Sequence, residues 1–429
     1  MDYMIGFGNT FETESIKGAL PKGQNSPQKC TFNLYAEQLS GSPFSSPLAI
    51  NERSWLYRLR PSVKHSGNYK KINIKNWKSA PHLGEHNLPV GQYRWDPFDI
   101  EPNDIDFIHS VKTITISGDV NMHLGMSSSV YIFNKSMTNT VFTNADAEML
   151  FIPYLGTLIL FTEMGKIKIK PGEIAVLPRG ITVKISTSDE VSKGYICENY
   201  GSKFNLPDKG VVGANCLANA RDFKVPVAAF EELDNAHTSI LKWCGSFYET
   251  SISHSPLDVV AWHGNYAPYC YNLNDFSPIG ATRFDHPDPS IYTVLTSKSE
   301  IPGNSNVDFL IFPERWSVAE NTFRPPWYHK NIMSEFMGLI YGKYDARPDG
   351  FLPGGISLHN TMLPHGPDST TFEKASSENL NPQKIENTLA FMFETRFPQH
   401  VTEFASKSKQ LQKNYIDCWK NIKKNYRSY

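Results

Sequence analysis

Four side chains in the last quarter of the chain have the types and spacing of a metal site. They are His329, Glu335, His359 and His365, and they lie in a segment, 328–368, that is otherwise rich in glycine and proline. Two imidazoles and one carboxylate on one face of a metal are typical of non-haem ferrous sites, because they leave the opposite face open for substrate and dioxygen. The segment therefore indicates metal-dependent chemistry, and its spacing leaves open which of His359 and His365 is a ligand.

The competing interpretation of this segment is an ordinary polar core, because a lone histidine is usually structural and the chain has 13 histidines. The donor set limits the choice of metal. No cysteine lies between residues 271 and 417, which argues against a thiolate zinc site and leaves Fe(II), Mn(II) or catalytic Zn(II). Iron is the candidate that needs three open positions, two for a chelating substrate and one for oxygen.

The overall composition limits the partners. Lys and Arg total 42 against 43 Asp and Glu, so no net field favours a nucleic acid or an anionic membrane surface. The longest apolar run, Met149 to Phe161, is too short to cross a membrane as a helix. The N-terminus lacks the pattern of a secretory signal, and the six cysteines show no CxxC spacing. We therefore expect a cytoplasmic protein with free thiols that acts on a small molecule.

The elements that must position the site are mainly strands. Short apolar runs separated by turn residues predict antiparallel β-structure over residues 1–275, and the alternation is clearest from Lys166 to Lys170. From about Glu403 onward, apolar residues recur at helical spacing and predict a terminal amphipathic helix. The residues on its apolar face would be Leu411, Tyr415, Trp419, Ile422 and Tyr426.

One segment of the first block resembles part of the cupin fold. Gly165 to Ile185, GKIKIKPGEIAVLPRGITVKI, has the strand, turn and strand pattern of the second half of a cupin jelly roll. Val183 stands where cupins have a metal-binding histidine. The first block, 1–275, is therefore predicted to be a large cupin-like domain without a metal.

The second β-rich block, 276–429, carries better matches to the cupin motifs. Glu335 precedes Gly342 at the spacing of the first motif, and Pro353 to Gly355 followed by His359 resembles the second motif with its spacing stretched. We therefore predict a mainly β fold of the cupin or jelly-roll sandwich type, in which the second block is the metal-binding domain and ends in the helix.

Longer stretches of the sequence resemble one family from end to end. They are NLYAEQLSGS from Asn33, RSWLYR from Arg53, GANCLANARDF from Gly213, VVAWHGNYAPY from Val259, FDHPDPSIYTVLT from Phe284, FRPPWYHKNIMSEFMGLIYGKY from Phe323 and FLPGGISLHNTMLPHGPD from Phe351. On these stretches the chain resembles the homogentisate 1,2-dioxygenases, iron enzymes that cleave an aromatic ring in tyrosine and phenylalanine breakdown. The resemblance implies homogentisate and dioxygen as substrates, maleylacetoacetate as product, Fe(II) as cofactor, and a hexamer built as a dimer of trimers.

The resemblance also assigns roles to individual residues of the metal site. It implies that His329, Glu335 and His365 bind the iron. It further implies that His286, in FDHPDPS, is the proton acceptor. Taken without the resemblance, His286 is an ordinary turn histidine between aspartates and prolines.

Four residues are expected at the substrate. The resemblance implies that Tyr344, in YGKY, hydrogen-bonds the substrate, that His365 contacts it, and that His359 lines its pocket. Arg324 is a further candidate because its guanidinium could pair with a carboxylate. Two rival functions use the same residue types: a zinc or manganese cupin isomerase, and a storage or ligand-binding cupin whose histidines form a polar core.

Overall fold

The structure is a computed structural model that describes residues 1–65, 67–85, 87–101, 103–208, 210, 216–281, 283–285, 291–344 and 350–426. Strands dominate these residues. The strands up to residue 278 are β1 (Tyr3–Ile5), β2 (Phe11–Glu14), β3 (Tyr35–Ser40), β4 (Arg53–Arg58), β5 (Lys70–Ile72), β6 (Tyr93–Trp95), β7 (Lys112–Asp119), β8 (Leu124–Phe133), β9 (Thr140–Asn144), β10 (Glu148–Leu155), β11 (Leu158–Thr162), β12 (Gly165–Ile169), β13 (Glu173–Leu177), β14 (Thr182–Ser186), β15 (Ser192–Asn199), β16 (Cys216–Leu217), β17 (Lys224–Pro226), β18 (His237–Trp243), β19 (Ser246–Ile252), β20 (Val259–Gly264), β21 (Tyr269–Asn272) and β22 (Ser277–Pro278).

The later strands are β23 (Tyr292–Ser297), β24 (Val307–Phe312), β25 (Arg315–Ser317), β26 (Ser334–Tyr341), β27 (Ile356–His359), β28 (Gln383–Ile385), β29 (Leu389–Thr395) and β30 (His400–Val401). The α-helices within the described residues are short: α1 (Phe107–Ser110), α2 (Ser369–Ala375) and α3 (Glu403–Ser406).

Most of these strands form four sheets. A nine-stranded sheet has the order β1-β17-β21-β13-β10-β15-β8-β7-β30, and a seven-stranded sheet has the order β12-β11-β14-β9-β18-β19-β5. A six-stranded sheet follows the order β23-β24-β29-β26-β27-β6, and a four-stranded sheet the order β2-β20-β4-β3. Between the strands described here, β9 with β18 is the one parallel pair. The prediction of a mainly β fold is confirmed.

The alternation predicted around Lys166 is also confirmed. In β12, Ile167 and Ile169 are buried while Lys166 and Lys168 are exposed. Successive side chains of a strand point to opposite faces, so a strand with one buried face alternates in this way. Local sequence was sufficient to assign this strand.

The six-stranded sheet has two apolar faces, and the difference between them positions the site. Phe309, Phe336, Phe391 and Phe393 belong to the main hydrophobic core that this sheet shares with the nine-stranded sheet. Their neighbours in sequence, including Met337 and Met392, form a separate, smaller cluster on the opposite face. That outer face carries the candidate functional residues.

The two blocks of the chain exchange strands. β6, at residues 93–95, forms the edge of the six-stranded sheet beside β27. β30, at residues 400–401, forms the edge of the nine-stranded sheet beside β7. The proposed boundary between residues 275 and 276 is therefore crossed by strand pairing in both directions.

The C-terminal helix is present but much shorter than predicted. Thr402 caps α3, which ends at Ser406, and a single 3-10 turn, Tyr415–Trp419, follows. The residues predicted for its apolar face lie beyond the end of α3 and do not continue it, and Tyr426 is 74% exposed. The reason is competition for backbone hydrogen bonds: the chain around Leu411 lies along the free edge of β6, where the Gln412 amide donates to the Arg94 carbonyl.

Candidate metal centre

The register of the six-stranded sheet brings three polar side chains into one row. Glu335 on β26 pairs directly with His359 on β27 and, on its other side, with Glu394 on β29. Directly paired residues in neighbouring strands point to the same face of a sheet. Glu335 therefore lies between an imidazole and a second carboxylate on the outer face.

Two loops add His329 and His365 to this row. The backbone amide of each residue donates to the carbonyl of the other, at 2.9 and 3.1 Å, which forms an isolated antiparallel bridge. Their ring centroids are 4.2 Å apart. The bridge explains how residues 36 positions apart in sequence come to face the same carboxylate.

The side-chain geometry suits a cation. One ligand atom from each of His329, Glu335 and His365 lies within 4.8 Å of the other two. Nε2 of His365 is 3.0 Å from one oxygen of Glu335, and Nε2 of His329 is 3.9 Å from the other. Glu335 is 5% exposed, and His365 is 8% exposed.

The hydrogen bonds made by Nδ1 of His329 and of His365 determine which nitrogen of each ring can bind a metal. Nδ1 of His329 lies 2.6 Å from the carbonyl of Trp327, and Nδ1 of His365 lies 3.0 Å from the carbonyl of Leu363. A carbonyl can only accept, so each Nδ1 carries a proton, and Nε2 is the ring nitrogen that faces Glu335 and is left to bind a metal. Three potential ligand atoms thus converge on one point, and a metal ion bound there would be held by all three.

His359 is placed differently from these three residues. Its Nδ1 is 3.6 Å from Glu335, and its Nε2 is 2.9 Å from the hydroxyl of Tyr415. Burial, followed by the neighbouring His365, lowers the pKa of His359 to about 4, so the ring is neutral. The geometry therefore groups His365, and not His359, with His329 and Glu335.

The carboxyl group of Glu335 is ionised. Burial alone would raise its pKa, but polar interactions with the imidazoles of His329, His359 and His365 together outweigh burial and hold the pKa well below its ordinary value. Asn331 also contributes, because its Nδ2 donates to Glu335 at 3.1 Å and to Glu394 as well. The amide thus joins the two paired carboxylates and orients the one that faces the histidines.

The three donors open into a cavity of about 390 Å³. Its apolar wall includes Phe312, Met337, Phe351 and Met392. Tyr344, just beyond β26, lines the same cavity and packs edge-on against Phe312, with ring centroids 5.4 Å apart. This volume is at the lower end of the range for small-molecule sites, so it fits a ligand with a single aromatic ring.

One of the predicted site residues, Arg324, does not join this arrangement. Among the residues that the structure describes, those that line the cavity do not include Arg324. Its guanidinium donates to the carbonyls of Ala319 and Asn381, beside a separate cavity of about 180 Å³. The backbone carbonyls thus bind the guanidinium that was expected to face the substrate. His286 lies outside the described residues.

The sequence analysis missed Arg94 and Tyr415, which both line the cavity. The buried guanidinium of Arg94 lies 4.6 Å from the ring centre of Phe351 and 4.7 Å from that of Tyr415, and its Nε donates to Ser357. Arg94 is on β6, more than 230 residues before the metal segment. No local pattern marks it, so only the pairing of β6 with β27 reveals it.

The described part of the chain contains no helix that is long and apolar enough to span a membrane. Two imidazoles and a carboxylate that converge in a buried cavity form a site for a cation, and the fold and the site together are those of a metal-dependent enzyme.

The comparisons with known proteins identify the family. The model described as "Homogentisate 1,2-dioxygenase N-terminal" matches residues 2–273, and the model described as "Homogentisate 1,2-dioxygenase C-terminal" matches residues 274–426. The proteins named homogentisate 1,2-dioxygenase from Sinorhizobium fredii and Nitrobacter hamburgensis are each 59% identical to the chain, covering 99% of it and 94% of their own length. The chain therefore belongs to the homogentisate 1,2-dioxygenase family and is a dioxygenase.

Solved structures give a much weaker similarity. A cupin 2 conserved barrel domain protein from Leptotrichia buccalis is 10% identical, with a TM-score of 0.31, over 69% of this chain and 92% of its own. A similarity at this level carries no argument about function.

Proposed function

We propose that this protein catalyses the Fe(II)-dependent oxidative cleavage of the homogentisate ring by dioxygen to 4-maleylacetoacetate, in the breakdown of tyrosine and phenylalanine. The observation that carries the proposal is the convergence of the Nε2 atoms of His329 and His365 on the carboxylate of Glu335, inside a cavity of about 390 Å³. Membership of the family supports the choice of substrate. A cytoplasmic hexamer, built as a dimer of trimers, is part of the same proposal.

His329, Glu335 and His365 would hold the metal. Zinc has no redox chemistry, so among metals that accept imidazole and carboxylate ligands Fe(II) is the best suited to a dioxygenase. When bound, the metal supplies a route for electrons from the electron-rich ring to dioxygen, which reacts slowly with singlet organic molecules. The residues themselves supply orientation, because their outer hydrogen bonds hold each ligand atom toward one point.

The cavity walls would orient the substrate ring. Phe312 and Phe351 would present aromatic surface to it, and Met337 and Met392 line the same cavity with adaptable apolar side chains. Tyr344 would hydrogen-bond a substrate oxygen. His286 would take a proton from the substrate hydroxyl, which raises the electron density of the ring, and histidine is the side chain most often used for such a transfer near neutral pH.

We expect His286→Gln to reduce turnover by about 10² to 10⁴ while iron content stays normal, because a general base contributes to that extent without binding the metal. The measurement is oxygen uptake with homogentisate, alongside iron analysis of the same preparation. Loss of iron from this variant would show that His286 has been given the wrong role.

The experiment that tests the function as a whole uses protein purified without oxygen. We expect one iron per chain, homogentisate binding in the absence of oxygen, and oxygen consumption when air is admitted. Stoichiometric zinc or manganese without oxygen uptake would favour a cupin isomerase. A protein that holds no stoichiometric metal would instead be a binding protein with a polar core.

A further inference from the structure

Tyr415 reaches the metal centre from the C-terminal tail. It lies in the 3-10 turn Tyr415–Trp419, is 4% exposed, and places its hydroxyl 2.9 Å from Nε2 of His359. The same turn is anchored beside the candidate ligand His365, because the indole of Trp419 donates to the carbonyls of Gly366 and Pro367 at 3.3 and 3.1 Å. The tail is therefore built into the wall of the site.

The direction of the hydrogen bond between Tyr415 and His359 follows from the other nitrogen of the histidine. Nδ1 of His359 is buried, makes no hydrogen bond with any described residue, and lies 3.6 Å from an oxygen of Glu335. A carboxylate only accepts, so a lone pair on Nδ1 would be repelled by it, whereas an N–H would be attracted. Nδ1 thus carries the proton, Nε2 accepts, and the hydroxyl of Tyr415 donates.

The ring of Tyr415 is held firmly enough to impose this arrangement. The guanidinium of Arg94 lies 4.7 Å from its ring centre, and Trp419 packs edge-on against it at 5.8 Å. The rings of His359 and Tyr415 are nearly parallel, with an interplanar angle of 21°. Side chains that are held by packing can hold a partner within the narrow tolerance that a functional site needs.

We infer that Tyr415 is a positioning residue that acts through His359: its hydroxyl selects the tautomer in which Nδ1–H faces Glu335 at the wall of the cavity, as a donor for an anionic oxygen of substrate that binds beside that carboxylate. The inference rests on the proposed function, because it needs a substrate bound next to the metal ligands. It extends that function by giving the C-terminal tail a defined part in substrate binding.

The test is Tyr415→Phe, which removes the hydroxyl and keeps the ring with its contacts to Arg94 and Trp419. We expect iron content to be unchanged and the anaerobic affinity for homogentisate to fall roughly 3- to 10-fold, the range for loss of one hydrogen bond. Tyr426→Phe is the matched control, since Tyr426 is in the same tail and 74% exposed; its affinity should equal that of the unmodified protein.

A double-mutant cycle separates positioning from a general structural effect. If Tyr415 acts through His359, Tyr415→Phe should change the affinity less than about 2-fold in a His359→Gln background. A second measurement uses protein labelled with ¹⁵N-histidine and loaded with diamagnetic Zn(II). In Tyr415→Phe, the ¹⁵N chemical shifts of one imidazole should move from the values of one tautomer toward those of the other. In Tyr426→Phe they should stay unchanged.

Three outcomes would overturn the inference: unchanged homogentisate affinity in Tyr415→Phe, loss of iron from that variant, or fully additive effects in the cycle. Failure of the proposed function is distinguishable from these, because the unmodified protein would then bind neither iron nor homogentisate.

Discussion

Glu335→Gln is expected to abolish metal binding and turnover together. The substitution keeps the shape of the side chain, its 5% exposure and its place opposite His359, but removes the negative charge on which His329 and His365 converge. Changing a residue that only supports a ligand costs about 10- to 100-fold in metal affinity. Loss of the sole carboxylate of the triad should therefore exceed about 100-fold, and the purified protein should contain little iron.

The neighbouring carboxylate provides the control for this prediction. Glu394 pairs with Glu335 across the sheet and accepts a hydrogen bond from the same Asn331 amide, but it is not part of the triad. Glu394→Gln should keep its iron, with an affinity lowered by no more than about 100-fold. The measurements are iron analysis after anaerobic purification, metal competition, and oxygen uptake. Full iron and full rate in Glu335→Gln would remove Glu335 from the ligand set.

Arg58→Met is expected to destabilise the fold more than most single substitutions. Arg58, on β4, is fully buried and forms ion pairs with Glu37 at 2.8 Å, Glu163 at 2.9 Å and Asp258 at 2.9 Å. Methionine would leave Glu163 and Asp258 buried without their cation. Removing one partner from a buried ion pair typically costs about 3–5 kcal/mol in the free energy of unfolding, which should appear as a large drop in the denaturant midpoint.

Arg60→Met is the control, two residues away on the same segment. Its pair with Asp234 is at the surface, where the Asp234 side chain is 70% exposed, and such pairs contribute about 0–1 kcal/mol. Equal losses of stability in the two variants would contradict the idea that burial determines the effect.

The destabilisation by Arg58→Met should increase with pH. Burial raises the pKa of Asp258 from 3.8 to about 6 even though Arg58 opposes the shift. The folded state therefore binds more protons than the unfolded state between these values, and stability falls as pH rises through that range. Without Arg58 the folded pKa rises further, so the fall extends to higher pH. Denaturant unfolding of the variant and of the unmodified protein at pH 5 and pH 8 measures this. The prediction would be contradicted if the variant lost less free energy of unfolding at pH 8 than at pH 5.

Features that depend on neighbouring residues could be predicted from the sequence. The strands follow from local alternation, as in Lys166 to Ile169, because the period of two is imposed by the pleat of each strand separately. Four candidate ligands, His329, Glu335, His359 and His365, could be named from side-chain chemistry because they lie in one short segment, and the family resemblance then implied which three bind the metal. The family followed from long matches over the whole chain.

The contacts around the metal centre required the assembled fold. Three of these contacts depend on pairing between distant parts of the chain. They are the bridge between His329 and His365, the position of Arg94 on β6 beside β27, and the contact of the Tyr415 hydroxyl with His359. The predicted terminal helix illustrates the same limit. Its helical periodicity near Leu411 was real, but the unpaired edge of β6 offered hydrogen bonds that no local pattern encodes, and the chain follows that edge instead.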